Sequence, residues 1–195
     1  MRSKKGIGFL LLAFVRVSAA AATTFLPMNL DDLTEVSSAI AYGKIVAGHT
    51  EWNNAHTLIY TVYTVQAMEY LQGDMGLSFE LHEPGGELDG LSMSVAGVPQ
   101  FTVGQEAVLF IWTDPQGLHQ VTGFEQGNLA VQNDPQTGMK MTSRVIRLGS
   151  AKSADSAGSV VSVGSVGSTT SRFLPQLFHQ IRSSAAKARK PAANQ

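Results

Sequence analysis

Residues 57–70 read TLIYTVYTVQAMEY. Val, Ile, Tyr and Thr fill the stretch, and β-branched and aromatic side chains of this kind suit a pleated, half-buried strand. The run is more than twice the usual strand of five or six residues. It is therefore expected to bend or bulge and to serve both sides of a curved sheet. Five further runs have the same composition and are bounded by Gly, Pro, Asn or Asp: 39–47 (AIAYGKIVA), 77–82 (LSFELH), 107–113 (AVLFIWT), 118–123 (LHQVTG) and 128–132 (NLAVQ). The connections have turn chemistry. EWNNAH at 51–56 closes the first hairpin, Gln72–Asp74 the second, and DPQG at 114–117 places Pro at the second position of a type I turn. Six strands, short connections and no alternation with helices point to a mainly β protein, a closed or partly open antiparallel β-barrel rather than a parallel α/β sheet.

Helices are expected only at the ends. Asn29 precedes Leu30, Leu33 and Val36, with Asp31, Asp32 and Glu35 placed where carboxylates oppose the positive end of a helix dipole. Near the C-terminus, Phe173, Leu174, Leu177, Phe178 and Ile181 form an apolar stripe at helical spacing. The chain thus divides into an export signal at 1–22, a β-barrel domain at 29–148, a Gly/Ser-rich linker at 149–171, and an amphipathic helix with a basic tail at 172–195. The export signal is read from a basic start (Arg2, Lys4, Lys5), an apolar run from Ile7 to Val15, and small residues from Ser18 to Ala22. The apolar run is too short to span a bilayer, and Arg16 interrupts it. A bacterial protein delivered to the periplasm or the extracellular space is expected.

Composition removes several chemistries. Of 195 residues, 44% are hydrophobic and none is cysteine, so there is no disulfide framework, thiolate metal site, cysteine nucleophile or lipoprotein anchor. The near-neutral net charge of −1 conceals an asymmetry: all 15 acids lie between 23 and 171, and between residues 30 and 139 Lys44 is the only base. Nucleic-acid binding requires clustered bases, so the body is not expected to bind DNA or RNA. A basic tail meeting an acidic body favours docking of the C-terminal helix. Weak contact of Phe173, Leu174, Leu177, Phe178 and Ile181 with a membrane surface is the alternative.

The order SSAIAYGKIVAG, IYTVYTVQAMEYLQGD, HEPGGE followed by SMSVAGVPQFTVGQEAVLFIW, and VTGFEQGNLAV resembles an uncharacterised domain of exported bacterial proteins, over roughly residues 30–133. The layout is distantly similar to the netrin-like fold of the tissue inhibitors of metalloproteinases, an OB-type barrel. The matching positions are Ala39 to Val46, Gln72-Gly73 and Gly104 to Phe110. That resemblance implies an OB-like barrel. It does not carry the inhibitors' mechanism, which uses an N-terminal cysteine to hold the protease zinc.

The candidate binding residues are Trp52, His82, Glu83, Gly85, Gly86, Glu87 and Met93. They centre on HEPGGE at 82–87, where two glycines after Pro84 free the backbone for unusual φ and expose its amides. A plain turn is the competing reading of the same residues. Trp112, inside an apolar run, is expected in the core, and Trp52, in a polar stretch, is expected to be exposed. Metal-ligand spacing is lacking, as are G-x-S-x-G and a phosphate-binding loop, so no catalytic residue, metal or cofactor is assigned. The expectation is a non-catalytic binding or protein-interaction module. The alternative is a metal-assisted hydrolase using His82, Glu83 and Glu87.

Overall fold

The computed structural model describes residues 26–146 and 168–189; the expected export signal and most of the expected linker lie outside the described residues. Helix α1 spans Leu30–Val36. Its cap is reciprocal: the Asp32 N–H donates to Asn29 Oδ1 at 2.9 Å, and the Asn29 N–H donates to Asp32 Oδ2 at 3.0 Å. Strands β1 (Ala39–Trp52), β2 (Ile59–Gln72) and β3 (Ser78–Pro84) follow, then a small hairpin of β4 (Gly86–Leu88) and β5 (Leu91–Met93). Next come β6 (Glu106–Thr113), β7 (His119–Val121), a 3-10 turn at Phe124–Gly127, β8 (Asn128–Asn133), β9 (Lys140–Ile146), β10 (Ser168–Phe173) and helix α2 (Leu174–Ala188).

The large sheet is antiparallel and runs β10-β9-β8-β6-β1-β2-β3, with β7 pairing the far end of β6 beyond β8. The long strand read at 57–70 is β2, and it bulges as expected. Leu71 and Met68 are extra residues on β2 and Val46 is extra on β1, so the register shifts three times and the ribbon coils strongly. The turn at 114–117 also forms as expected, with the Gly117 N–H donating to the Asp114 carbonyl at 3.0 Å.

Two cores explain why β1 is buried on both faces over 39–43 and β6 over 107–111. Alternate residues Ile40, Tyr42, Val108 and Phe110 face one side, where Leu33 of α1 and Leu174, Leu177, Phe178 and Ile181 of α2 cover them. Their neighbours Ala41, Ile45, Ala107, Leu109 and Ile111 face the other side. There the sheet curls over them and supplies Tyr63, Val65, Phe79, Leu81 and Val121, and the loop before β6 adds Phe101. A strand clothed on both faces loses its polar alternation.

Two expectations are corrected. The sheet is not a closed barrel: no ladder joins β3 to β7, although the coil brings β3 against β7. The outer edge of β6 is divided between β8 and β7, so the chain reaches near-closure through side chains instead. Second, residues 168–173, placed in the linker and in the first positions of the helix, form β10 and pair with β9 from Ser168↔Ile146 to Phe173↔Met141. Helix α2 begins at Leu174, with Pro175 in its first turn, where the missing N–H costs nothing. Four residues of the apolar stripe, Leu174, Leu177, Phe178 and Ile181, are buried in the first core. Each side chain so buried contributes roughly 1.5–3 kcal/mol. Arg182 pairs with Glu69 and the Ser184 hydroxyl donates to Asp31, so the acidic body does receive the basic helix. None of the helices among the described residues is long and apolar enough to cross a membrane.

Candidate functional site

The strand β3 ends at Pro84, and the chain turns sharply through Gly85 (φ 115°) and Gly86 (φ 135°), conformations that L side chains rarely adopt. The Gly85 N–H donates to the Ile59 carbonyl at 2.8 Å, and the Thr61 hydroxyl donates to the Gly85 carbonyl at 2.7 Å. A Cβ on Gly86 would sit 2.7 Å from Thr61 Oγ1 and 2.8 Å from Thr50 Cγ2. The glycines therefore let the β4–β5 hairpin lie directly on the ends of β1 and β2. The Thr50 hydroxyl adds a third tie, donating to the Glu87 carbonyl at 2.9 Å. At the hairpin tip Asp89 and Gly90 both take positive φ, as a tight two-residue turn requires. The Trp52 indole N–H donates to Asp89 Oδ2 at 3.1 Å, and the Trp52 ring leans on His56. Trp52, Gly85, Gly86, Glu87 and Met93 are thus gathered in one place, with Gly86 directly across from Met93.

His82 and Glu83 stand at the base of this hairpin but on opposite faces of β3. Glu83 points inward with Phe79 and Leu81, and it is buried. Its Oε1 accepts the Val121 N–H at 2.7 Å. Burial raises the Glu83 carboxyl to about 7, against the opposing effect of that hydrogen bond. His82 lies on the other face, largely covered, across β2 from His49 through Val62. The Glu51 carboxylate sits between the two imidazoles, 3.6 Å from His49 Nε2 and 4.0 Å from His82 Nε2. The edge of one ring meets the other between His82 and Tyr60, and His82 Nδ1 has no hydrogen-bond partner among the described residues. Across the seam, His119 is held below its ordinary value by burial and by the nearby His82.

Of the three residues named for the hydrolase alternative, His82 and Glu83 lie on opposite faces of β3 and Glu87 projects from the hairpin. Among the described residues no group of three or more His, Asp or Glu side chains is placed to hold a metal ion. Strand alternation alone separates neighbours such as 82 and 83, and that part was available from the sequence.

Two features were missed. Tyr42, Glu106 and Lys140 form a closed network at the end of β6. Lys140 Nζ lies 2.7 Å from both the Tyr42 hydroxyl and Glu106 Oε2, and the Tyr42 hydroxyl donates to Glu106. Lys140 and Tyr42 hold the Glu106 carboxyl below its usual range, Glu106 raises Lys140, and burial followed by Glu106 raises Tyr42. Beside the network is an open groove of about 450 Å³ lined by residues of β6, β8 and the loop before β6. The second feature corrects the reading of Trp112, which is not in the core but 37% exposed. It lies one position past Ile111, where the cover over β6 ends. Met28, Val36, Thr122 and Gly123 join it around an apolar groove of about 330 Å³. Its place as the penultimate residue of an apolar run was the available signal.

No protein-family model, curated protein or solved structure matches this chain.

Proposed function

We propose that the chain is an exported, OB-like, non-catalytic binding module that acts in the periplasm or outside the cell and presents its ligand-contacting residues on the β4–β5 hairpin. The observation that carries this reading is the anchoring of the hairpin. Three hydrogen bonds fix its backbone to β1 and β2, while Glu87, Leu91 and Ser92 are left exposed. Rigid backbone with free side chains is what recognition requires, because little conformational entropy is then lost on binding. Trp52 and Met93 add apolar surface at the same place. Export is supported by the basic, apolar and small-residue order of positions 1–22, and the OB-like reading by the near-closure of five strands, β7-β6-β1-β2-β3.

The test uses the full chain with a photo-crosslinking residue at Leu91, and in a second protein at Leu77, which is 88% exposed on the β2–β3 turn. Both are expressed in a bacterial host, irradiated in the cell and recovered from the envelope fraction. A discrete adduct from position 91, absent from position 77, and an intact mass lacking the first twenty or so residues are the expected results. Equal labelling from both positions would remove the hairpin as the binding surface. Full-length mass in the cytosolic fraction would remove export.

A further inference from the structure

We propose that Glu83 is a proton-operated latch between β3 and β7: protonated, it holds the two strands together, and when it ionises they part and water enters the seam. The latch belongs to the fold and does not rest on the reading above.

Strands β3 and β7 pack against each other without a backbone ladder. β3 is the end strand of the large sheet and pairs with β2, while β7 is a three-residue strand that pairs with β6 from Ile111↔Val121 to Thr113↔His119. A ladder would spread the join over several backbone hydrogen bonds. Here a side chain makes it, the Glu83 carboxyl accepting the Val121 N–H at 2.7 Å. Glu83 is 3% exposed, and Leu81, Val121 and the Ile111 across from Val121 all belong to the second core. The next amide points the other way: the Thr122 N–H donates to the Phe110 carbonyl at 2.7 Å. Consecutive amides therefore report separately on the seam and on the attachment to β6. Glu83 also lies directly across from Thr61, whose hydroxyl holds the Gly85 carbonyl, so the latch adjoins the root of the β4–β5 hairpin.

The surroundings of the carboxyl make the join depend on its proton. Burial pushes Glu83 up to about 7, and the Val121 N–H acts in the opposite direction without cancelling it. An ionised carboxylate gains more from water than from one amide N–H, so ionisation favours any arrangement that hydrates it. Other titratable groups stand nearby on each neighbouring element. By strand alternation His119 lies on the same side of β7 as Val121, and the β6–β7 turn carries Asp114. β2 contributes the buried Tyr63, and Glu87 projects from the hairpin. His82 is on the other face of β3, where it meets Glu51 and His49 of β1. His119 is lowered first by burial and then by His82, with Asp114 opposing. Its proton thus works against closure, and it loosens the seam as pH falls, the reverse of Glu83. Parting of the strands bares the edge of β3 that faces no partner strand among the described residues.

The test follows amide hydrogen exchange in the full chain by NMR from pH 5 to pH 8.5, with the Glu83 carboxyl carbon followed in the same samples. Rates are normalised to those of free amides. The carboxyl is expected to titrate near neutrality, and Val121 to exchange at least about tenfold faster than Thr122, because the bond to Phe110 survives parting of the seam. Glu83→Gln keeps an acceptor and cannot ionise. Relative to that variant, in which the contribution of His119 is the same, protection of Val121 in the parent should fall about tenfold or more between pH 5 and pH 8.5. A carboxyl that titrates in the ordinary glutamate range would overturn the proposal, and this measurement needs no variant. Equal protection of Val121 and Thr122 at every pH would show that only the whole fold opens, and the same pH profile in parent and variant would assign the effect to another group. Either result would also overturn it.

Discussion

Glu83 and Val121 join two strands that share no backbone ladder: a carboxylate on β3 accepts the amide N–H of a residue on β7, at 2.7 Å. The hydrogen bond satisfies an edge amide that a closed barrel would have paired with a carbonyl. It also places an ionisable group in an apolar seam, among side chains such as Leu81 and Ile111.

The pH dependence follows from that burial. Glu83 titrates near 7 in the folded chain and near 4.5 when unfolded, so the folded state binds the proton more tightly. Its stabilising contribution is complete below about pH 4.5 and is lost as pH rises from there through 7, amounting to about 3 kcal/mol. Glu83→Gln keeps an acceptor for Val121 and cannot ionise. The variant is expected to be more stable than the parent at pH 8.5, with the difference shrinking toward pH 5. Urea denaturation at both values measures it. His119, whose depressed value makes stability rise with pH in the same range, is common to both proteins and cancels in the comparison.

Gly86→Ala tests the seating of the hairpin. The new methyl meets Thr61 and Thr50 at a φ of 135°, and a loss of about 2 kcal/mol or more is expected. Gly90→Ala also has positive φ but open space around it, so its loss should be nearer 1 kcal/mol. Equal losses, read from thermal or urea unfolding, would mean that close approach to β1 and β2 contributes little.

Ile181→Ala tests whether α2 is part of the body. Ile181 is fully buried against residues that include Leu33 and Phe110. Removal of its side chain is expected to cost about 2–4 kcal/mol. His179→Ala, on the exposed side of the same helix, should change stability by no more than about 0.5 kcal/mol.

The Tyr42–Glu106–Lys140 network is partly solvated, so its energy should be modest. A double-mutant cycle with Lys140→Met and Glu106→Gln is expected to give a coupling of about 1 kcal/mol or less, decreasing with added salt. A larger, salt-insensitive value would show that Tyr42 shields the pair from water.

Much of the sheet was legible because local pattern and tertiary environment agree. In β2 and β6, β-branched and aromatic side chains meet burial on one or both faces, and in α1 the cap residues Asn29 and Asp32 have the partners their spacing implies. What escaped were segments whose state is set by distant partners. Residues 168–171 are small and polar, and the segment 168–173 becomes a strand because β9 is there to pair with it. The three-residue strands β4 and β5 are likewise too short to leave a periodic signal. The site was legible only as a region. Gly85 and Gly86 marked the hairpin, but sequence could not show that Glu83 would turn inward to Val121, or that cover over β6 would stop at Trp112.

The joining of Leu33 to Ile181 in one core has a consequence for biosynthesis. A nascent chain emerging from a ribosome exposes Ile40, Tyr42 and Phe110 long before the helix that covers them has been made. Until residues 174–185 have been synthesised, the first core lacks the helix that covers it, and its packing is completed only by the last described helix.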